Sequence, residues 1–152
     1  NFTRAANYLN SKYDLDIVLC SSSDDYERAN QLERNYKGKL FNLVGKTSLS
    51  ELLTIIDSSD LILSNETSAP HMAVALEVPN IFVIYNGNHF GRFTPYPKEI
   101  TKNYYSIYHP KIDQNLDKYK KLSNSGGFRS NLYMNDISFN MVKDKIDNAL
   151  GN

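Results

Sequence analysis

The sequence predicts an α/β fold, a parallel β-sheet with helices on both faces. Two observations carry that prediction. Short apolar runs of strand length alternate with helical patterns through the first hundred residues, and strands alternating with helices imply right-handed βαβ units. The first run, Ile17-Val18-Leu19-Cys20, is apolar at consecutive positions, as expected for a strand buried on both faces.

The elements follow in order. Residues 2–12 read as a helix with Phe2, Ala5, Ala6 and Leu9 on one side. Residues 17–20 are a first strand, 25–36 a helix and 40–44 a second strand. Residues 48–57 give the clearest helix: Leu49, Leu52, Leu53 and Ile56 fall at i, i+3, i+4 and i+7, and Ser48 with Glu51 forms a capping box. Residues 61–63 are a third strand, 65–68 a polar loop and 69–77 a helix, with Pro70 in its first turn, where a missing N–H costs little. Residues 81–85 are a fourth strand. Beyond Asn86 the alternation weakens, because residues 86–135 hold three of the five prolines and four of the seven glycines. A strand is expected at 104–108. A mobile surface segment is expected over 111–131, with a loop at Ser125-Gly126-Gly127. A last helix over 137–150 presents Ile137, Met141, Val142, Ile146 and Leu150, and Gly151 closes it.

At 152 residues and 41% hydrophobic, the chain is long enough for one domain over 1–152 with a real core. Its 17 basic and 17 acidic residues cancel, which argues against bulk nucleic-acid binding. No run approaches the ~18 apolar residues of a membrane span, and no signal-peptide pattern opens the chain. The single cysteine, Cys20, excludes an internal disulfide and a cysteine-based zinc site; it fits a reducing, cytoplasmic setting and reads as an inert core residue. The first residue is Asn1 rather than Met, which suggests a piece of a longer protein.

In an open parallel sheet, ligands collect beyond the carboxyl ends of the strands. Asn65-Glu66-Thr67-Ser68-Ala69-Pro70-His71 lies at such an end and opens a helix. Helix N-termini present unpaired N–H groups and partial positive charge, which suit phosphate. Thr67 and Ser68 add hydroxyls, Glu66 an acceptor for sugar hydroxyls, and His71 a donor one turn in. Against this stands a plainer reading: Thr67 or Ser68 caps the helix and His71 is a satisfied, partly buried histidine.

Two linked stretches narrow the choice. Gly45-Lys46-Thr47-Ser48-Leu49 and Glu66-Thr67-Ser68-Ala69-Pro70-His71-Met72-Ala73-Val74-Ala75-Leu76-Glu77-Val78-Pro79 resemble the C-terminal domain of the bacterial heptosyltransferases, glycosyltransferase family 9. That family reads Gly-Lys-Thr-Ser-Leu, then an acid-Thr-Gly-Pro-x-His run at similar separation. The likeness covers residues 40–97 most clearly, extends over 1–39, and returns at 133–150. It implies a GT-B architecture of two Rossmann-like domains, of which this chain would be the C-terminal, nucleotide-sugar-binding half. It implies that Glu66, Thr67 and Ser68, with Ala69 in the same turn, contact the diphosphate and sugar, and that His71 lies behind them. Lys46 and Thr47 match positions whose backbone lines the adenine pocket. Asp25 falls near a family acid that holds ribose hydroxyls; a carboxylate favoured by a helix dipole is an equal reading.

Asn86-Gly87-Asn88-His89-Phe90-Gly91-Arg92-Phe93, completed by Pro95-Tyr96-Pro97, resembles a Gly-rich stretch of some members. Arg92 could pair with phosphate, and His89 could assist the leaving phosphate or bind acceptor; a structured loop with a solvated Arg92 is the alternative. Three departures stand out: Glu66 for the commoner Asp, Ser68 for Gly and Glu77 for Gly. The longer acid puts heptose in question more than the nucleotide.

The resemblance further implies a donor such as ADP-heptose, no metal, a glycan or glycolipid acceptor such as lipopolysaccharide core, and a catalytic base on an N-terminal acceptor domain absent from this chain. Alone, the chain is expected to catalyse nothing. Peripheral contact at the inner membrane face is a further expectation, through Lys118-Tyr119-Lys120-Lys121. The competing readings are a non-catalytic α/β binding module and a domain of the sugar-nucleotide epimerase kind. Other signals are weaker. Asp14-Leu15-Asp16 precedes its strand, at the wrong edge for a metal site, and reads as turn-forming acids. His71, His89 and His109 lack metal-ligand spacing, and His109, before Pro110, reads as extended surface.

Overall fold

The computed structural model describes residues 1–123 and 129–151. The backbone forms two compact units, Asn1–Ile55 and Ile56–Asn152. The expected loop at Ser125-Gly126-Gly127 lies outside the described residues.

The first unit holds α1 (Phe2–Tyr13), β1 (Ile17–Leu19), a 3-10 turn (Ser23–Asp25), α2 (Tyr26–Asn35) and β2 (Leu40–Asn42). α1 buries Ala5, Ala6 and Leu9, the face its spacing marks, and ends where Asp14 turns left-handed at φ 54°. Asp16 meets Lys39 at 3.0 Å, and the Ile17 amide donates to Lys39 O. Both acids of the Asp-x-Asp text therefore sit before the strand, as turn and pairing residues. β1 and β2 are parallel, with Val18 opposite Phe41. Here the expectation of burial on both faces fails. Val18 is 42% and Phe41 44% exposed. Neighbouring side chains on a strand point to opposite faces, and only the Ile17/Leu19 side is partly covered. Cys20, expected in the core, is half-buried; burial still pushes its thiol up, favouring the protonated form.

α3 (Leu49–Asp57) starts on the capping box read from the sequence. The Glu51 carboxylate accepts from the Ser48 amide at 2.8 Å and from the Ser48 hydroxyl at 2.7 Å, while the Glu51 amide donates back to Ser48 Oγ at 3.3 Å. These bonds hold the Glu51 carboxyl below the usual range.

The second unit is built on β3 (Ile62–Asn65), β4 (Ile81–Tyr85) and β5 (Tyr104–Tyr108), all parallel, in the order β3-β4-β5. The central strand β4 is buried along its whole length. α4 (Ser68–Ala75) packs on β3 and β4, and α7 (Phe139–Leu150) packs on β5. α7 is capped by Ser138, whose hydroxyl accepts from the Met141 amide, buries Val142 and Ile146, and closes at Gly151 with φ 80°. The architecture is thus α/β and Rossmann-like: parallel strands joined through helices.

The segment after β5 corrects the sequence reading. Within the stretch expected as a mobile surface segment, 111–131, the described residues up to 123 lie mostly at the surface but form two helices, α5 (Pro110–Asp113) and α6 (Leu116–Ser123). His109 starts α5, its Nδ1 accepting from the Lys111 amide. Nor is His109 extended surface. It is 2% exposed, its amide donates to Tyr85 O, and Nε2 lies 3.1 Å from Asp136. Ile112 is buried with Tyr85 and Phe90, against Tyr108, Leu116, Tyr119 and Leu132. The polar sequence hid this burial because the covering residues lie on other elements. Among the described residues, no helix is long and apolar enough to cross a membrane.

Two outcomes are expected. After α4, Glu77 takes φ 56°, while its amide donates to Val74 O and the Val78 amide to Ala73 O. That helix-closing geometry favours glycine. Glu77→Gly relieves the left-handed penalty at the cost of glycine's greater backbone entropy, and should raise stability by about 0.5–1 kcal/mol net in urea denaturation. For Glu51, the folded carboxyl titrates lower than the unfolded one, so its bonds contribute fully above the unfolded value and are lost as pH falls through the folded value. The stability gap between wild type and Glu51→Gln should therefore be present at pH 7 and close on acidification to pH 3.

Candidate functional site

Because β3, β4 and β5 run parallel, their carboxyl ends share one edge. At the end of β3 the Glu66 amide extends the ladder by donating to Ile84 O at 3.2 Å. The chain then turns into α4. Thr67 holds the N-cap position in extended geometry, yet its side chain makes no capping bond. Its hydroxyl instead faces Ser64 Oγ at 3.4 Å and Asn65 O at 3.5 Å. Among the described residues, the Ser68 and Ala69 amides donate to no protein acceptor, and Pro70 has no N–H. The simple cap anticipated as the alternative reading is absent. The first turn of α4 is left with open donors, and Thr67 and Ser68 are exposed.

The loop after β4 folds as a closed structure. The Tyr85 hydroxyl donates to Asn88 O. Asn86 donates to Leu132 O at 3.2 Å and accepts from the Asn88 amide, and Asn88 Oδ1 accepts from the Ser130 amide at 2.8 Å. A tight turn follows: the Arg92 amide donates to His89 O and the Gly91 amide to Thr94 O. Gly87 and Gly91 take φ 95° and 80°, where glycine is at ease; His89 takes φ 52°. Phe90 packs into the core beside Tyr85 and Tyr108. Thr94, 1% exposed, is hydrogen-bonded through its hydroxyl to Tyr104 on β5.

This fold gathers three of the sequence-predicted residues around Phe93. The His71 ring meets Phe93 edge-on at 6.3 Å and the His89 ring does so at 5.8 Å. The Arg92 guanidinium lies 4.9 Å from the Phe93 ring centre. His71 Nδ1 lies 2.8 Å from the Tyr96 hydroxyl, and Tyr96 packs on Tyr104 at 5.3 Å. Among the described residues, His89 Nδ1 is buried without a hydrogen-bond partner, an uncommon state for a polar atom. The negative charge of Glu66 is felt here as well. Burial raises the Tyr104 hydroxyl to about 12 and Glu66 adds to the effect; the same two causes raise Tyr85 further.

The other three candidates belong to the first unit. β1 and β2 also end on one edge, where the Leu43 amide donates to Leu19 O and the Gly45 amide to Ser21 O, both at 2.9 Å. The two loops leaving that edge therefore touch. Gly45 sits at φ +68°, and a Cβ there would come within 3.1 Å of Ser23 Cα. Asp25 accepts from the Ser21 hydroxyl at 2.5 Å and pairs with Arg28 at 3.0 Å. The Ser21 bond, ahead of Arg28, holds its carboxyl below the usual range, and it makes no capping bond to α2. Lys46 folds back, its ammonium donating to Asn42 O at 2.9 Å, which leaves the exposed turn to present backbone. Thr47 follows, half-buried.

Phe93, Tyr96 and Tyr104 had drawn no assignment from the sequence. The available signal was the Phe93-to-Pro97 stretch beside Arg92, rich in aromatics and prolines. Reading it required knowing that β5 would present Tyr104 beneath the loop.

An α/β protein with parallel strands, loops leaving their carboxyl edge and a helix starting on unpaired amides belongs to the Rossmann-like class. Within it, the chain belongs to glycosyltransferase family 9 (heptosyltransferase), whose sequence pattern matches residues 1–123, a stretch that includes every candidate named above. The crystal structure of the glycosyl transferase family 9 from Veillonella parvula DSM 2008 shares the fold, with a TM-score of 0.71 at 18% identity. The match takes in 98% of this chain and 40% of that one, so this chain spans well under half of that protein's length. No curated protein matches the sequence.

One consequence concerns the loop anchor. Tyr104→Phe leaves the buried Thr94 hydroxyl without its partner, and should cost about 1–3 kcal/mol of stability in urea denaturation, with faster amide exchange confined to residues 89–96.

Proposed function

We propose that this chain is the donor-binding half of a glycosyltransferase that transfers a sugar from a nucleoside-diphosphate sugar to a glycan hydroxyl. The observation that carries the reading is the open first turn of α4, in a chain of glycosyltransferase family 9. As the glycosidic bond breaks, negative charge builds on the departing diphosphate, and fixed donors must meet it. The Ser68 and Ala69 amides and the Thr67 and Ser68 hydroxyls are such donors, with the Arg92 guanidinium as a further partner. Glu66 would accept from sugar hydroxyls. By the likeness to the family, the Lys46–Thr47 backbone would take the base and Asp25 the ribose hydroxyls. His71 stands behind the turn, and His89 faces the leaving phosphate or acceptor.

On this reading the charge on the diphosphate is met by protein donors and no metal is invoked. The sugar is a heptose or a relative that accommodates the longer Glu66, and the acceptor is a bacterial surface glycan such as lipopolysaccharide core, reached from the cytoplasmic side. Acceptor binding and the catalytic base belong to the part of such an enzyme that this chain does not span, so the chain alone binds donor without turnover.

Titration calorimetry with ADP, UDP, GDP and CMP tests this. A nucleoside diphosphate should bind, ADP best, and Thr67→Ala should weaken it about three- to tenfold. Binding of none, with no effect of Thr67→Ala, would mark a non-catalytic α/β module; a UDP preference would move the donor away from ADP-heptose.

A further inference from the structure

His71 and Tyr96 come from elements 25 residues apart and meet at 2.8 Å through Nδ1 and the hydroxyl. The other ring nitrogen, Nε2, has no protein partner among the described residues and is not sealed from solvent. Tyr96 is itself held, its ring packed on Tyr104, whose hydroxyl bonds the buried Thr94. Phe93 closes the ring's other contact at 6.3 Å. The imidazole is thus clamped, with one nitrogen engaged and one open.

Which nitrogen carries the proton follows from the pair's chemistry. A phenol is a better hydrogen-bond donor than acceptor, and a bare imidazole nitrogen is a strong acceptor. The favoured arrangement is therefore Tyr96 O–H donating to Nδ1, which places the ring proton on Nε2. We infer that Tyr96 is a positioning residue that fixes His71 as the Nε2–H tautomer, so that the open nitrogen is a donor even when the ring is neutral. Resting on the reading of the α4 turn as a diphosphate site, this makes His71 a hydrogen-bond donor to an anion there. The opposite tautomer would present a lone pair and repel one. Tyr96 acts only through His71.

Long-range 1H–15N NMR of the 152-residue chain at pH 8 reads the tautomer directly, before any ligand is added. The His71 ring should show a protonated Nε2 and a bare, hydrogen-bonded Nδ1, and Tyr96→Phe should move both nitrogens toward an average of the two tautomers. A proton on Nδ1 in the wild type, or no change in Tyr96→Phe, overturns the inference. The functional half is read by titrating ADP and inorganic pyrophosphate at the same pH. Tyr96→Phe should weaken binding about fivefold. His71→Gln offers an amide N–H whatever Tyr96 does, so Tyr96→Phe should cost nothing further in that background. An equal loss in both backgrounds would make Tyr96 a merely structural support and overturn its positioning role. If the wild type binds neither probe while its ring carries the Nε2 proton, the tautomer assignment stands and the diphosphate reading falls.

Discussion

β4 gives all five of its side chains to the interior, and its backbone pairs with a parallel strand on each side. Such a strand has no face left for solvent and no free edge. Its direction fixes that of β3 and β5, and so sends the turn into α4 and the 86–97 loop out from one edge of the unit. The first unit repeats the constraint with two strands, bringing the Ser21–Asp25 and Leu43–Lys46 turns together. The loops can change while the ladder stays.

The ladder alone does not shape the 86–97 loop. A loop rich in glycine, asparagine and proline would be expected to move. Among the described residues it is tied at five places: Tyr85 to Asn88, Asn86 to Leu132, Asn88 to Ser130, Thr94 to Tyr104, and Tyr96 to His71. Three of the ties use a tyrosine hydroxyl, a group that brings a large apolar ring and a polar tip together. The rings bury, the tips hold backbone or side chain, and Phe93 is left 47% exposed between two histidines and an arginine. Burial, with the Glu66 charge adding to it, raises both the Tyr85 and Tyr104 hydroxyls above the ordinary phenol range.

Much of the fold was legible in the sequence. β4 and β5 fall where their apolar and aromatic runs lie, at Ile81–Tyr85 and Tyr104–Tyr108, and the Ser48–Glu51 box starts α3 as its spacing requires. Boundaries were less legible. β3 runs on through Ser64 and Asn65, because ladder hydrogen bonds join backbones and do not care that these side chains are polar. α4 stops at Ala75 because Glu77 turns left-handed, a position where a glycine would have announced the end. Of the candidate site, the motif residues were legible through their resemblance to the family, while the state of each was not. That Thr67 does not cap α4, that Asp25 is engaged by Ser21 and Arg28, and that Lys46 bonds its own strand are matters of rotamer and neighbour.

By itself the sequence determined the order of elements through β5, their parallel sense and the family, since these depend on local periodicity, helix-signal residues and motifs read along the chain. Only the tertiary structure decided that His109 is buried against Asp136, 27 positions away, that Val18 and Phe41 are left in the open, and that Tyr96 engages His71. The physical reason is common to all three. Burial and hydrogen-bond pairing are properties of what lies opposite a side chain in space. For His109 and His71 that neighbour comes from another element, and over Val18 and Phe41 none of the described residues closes the face.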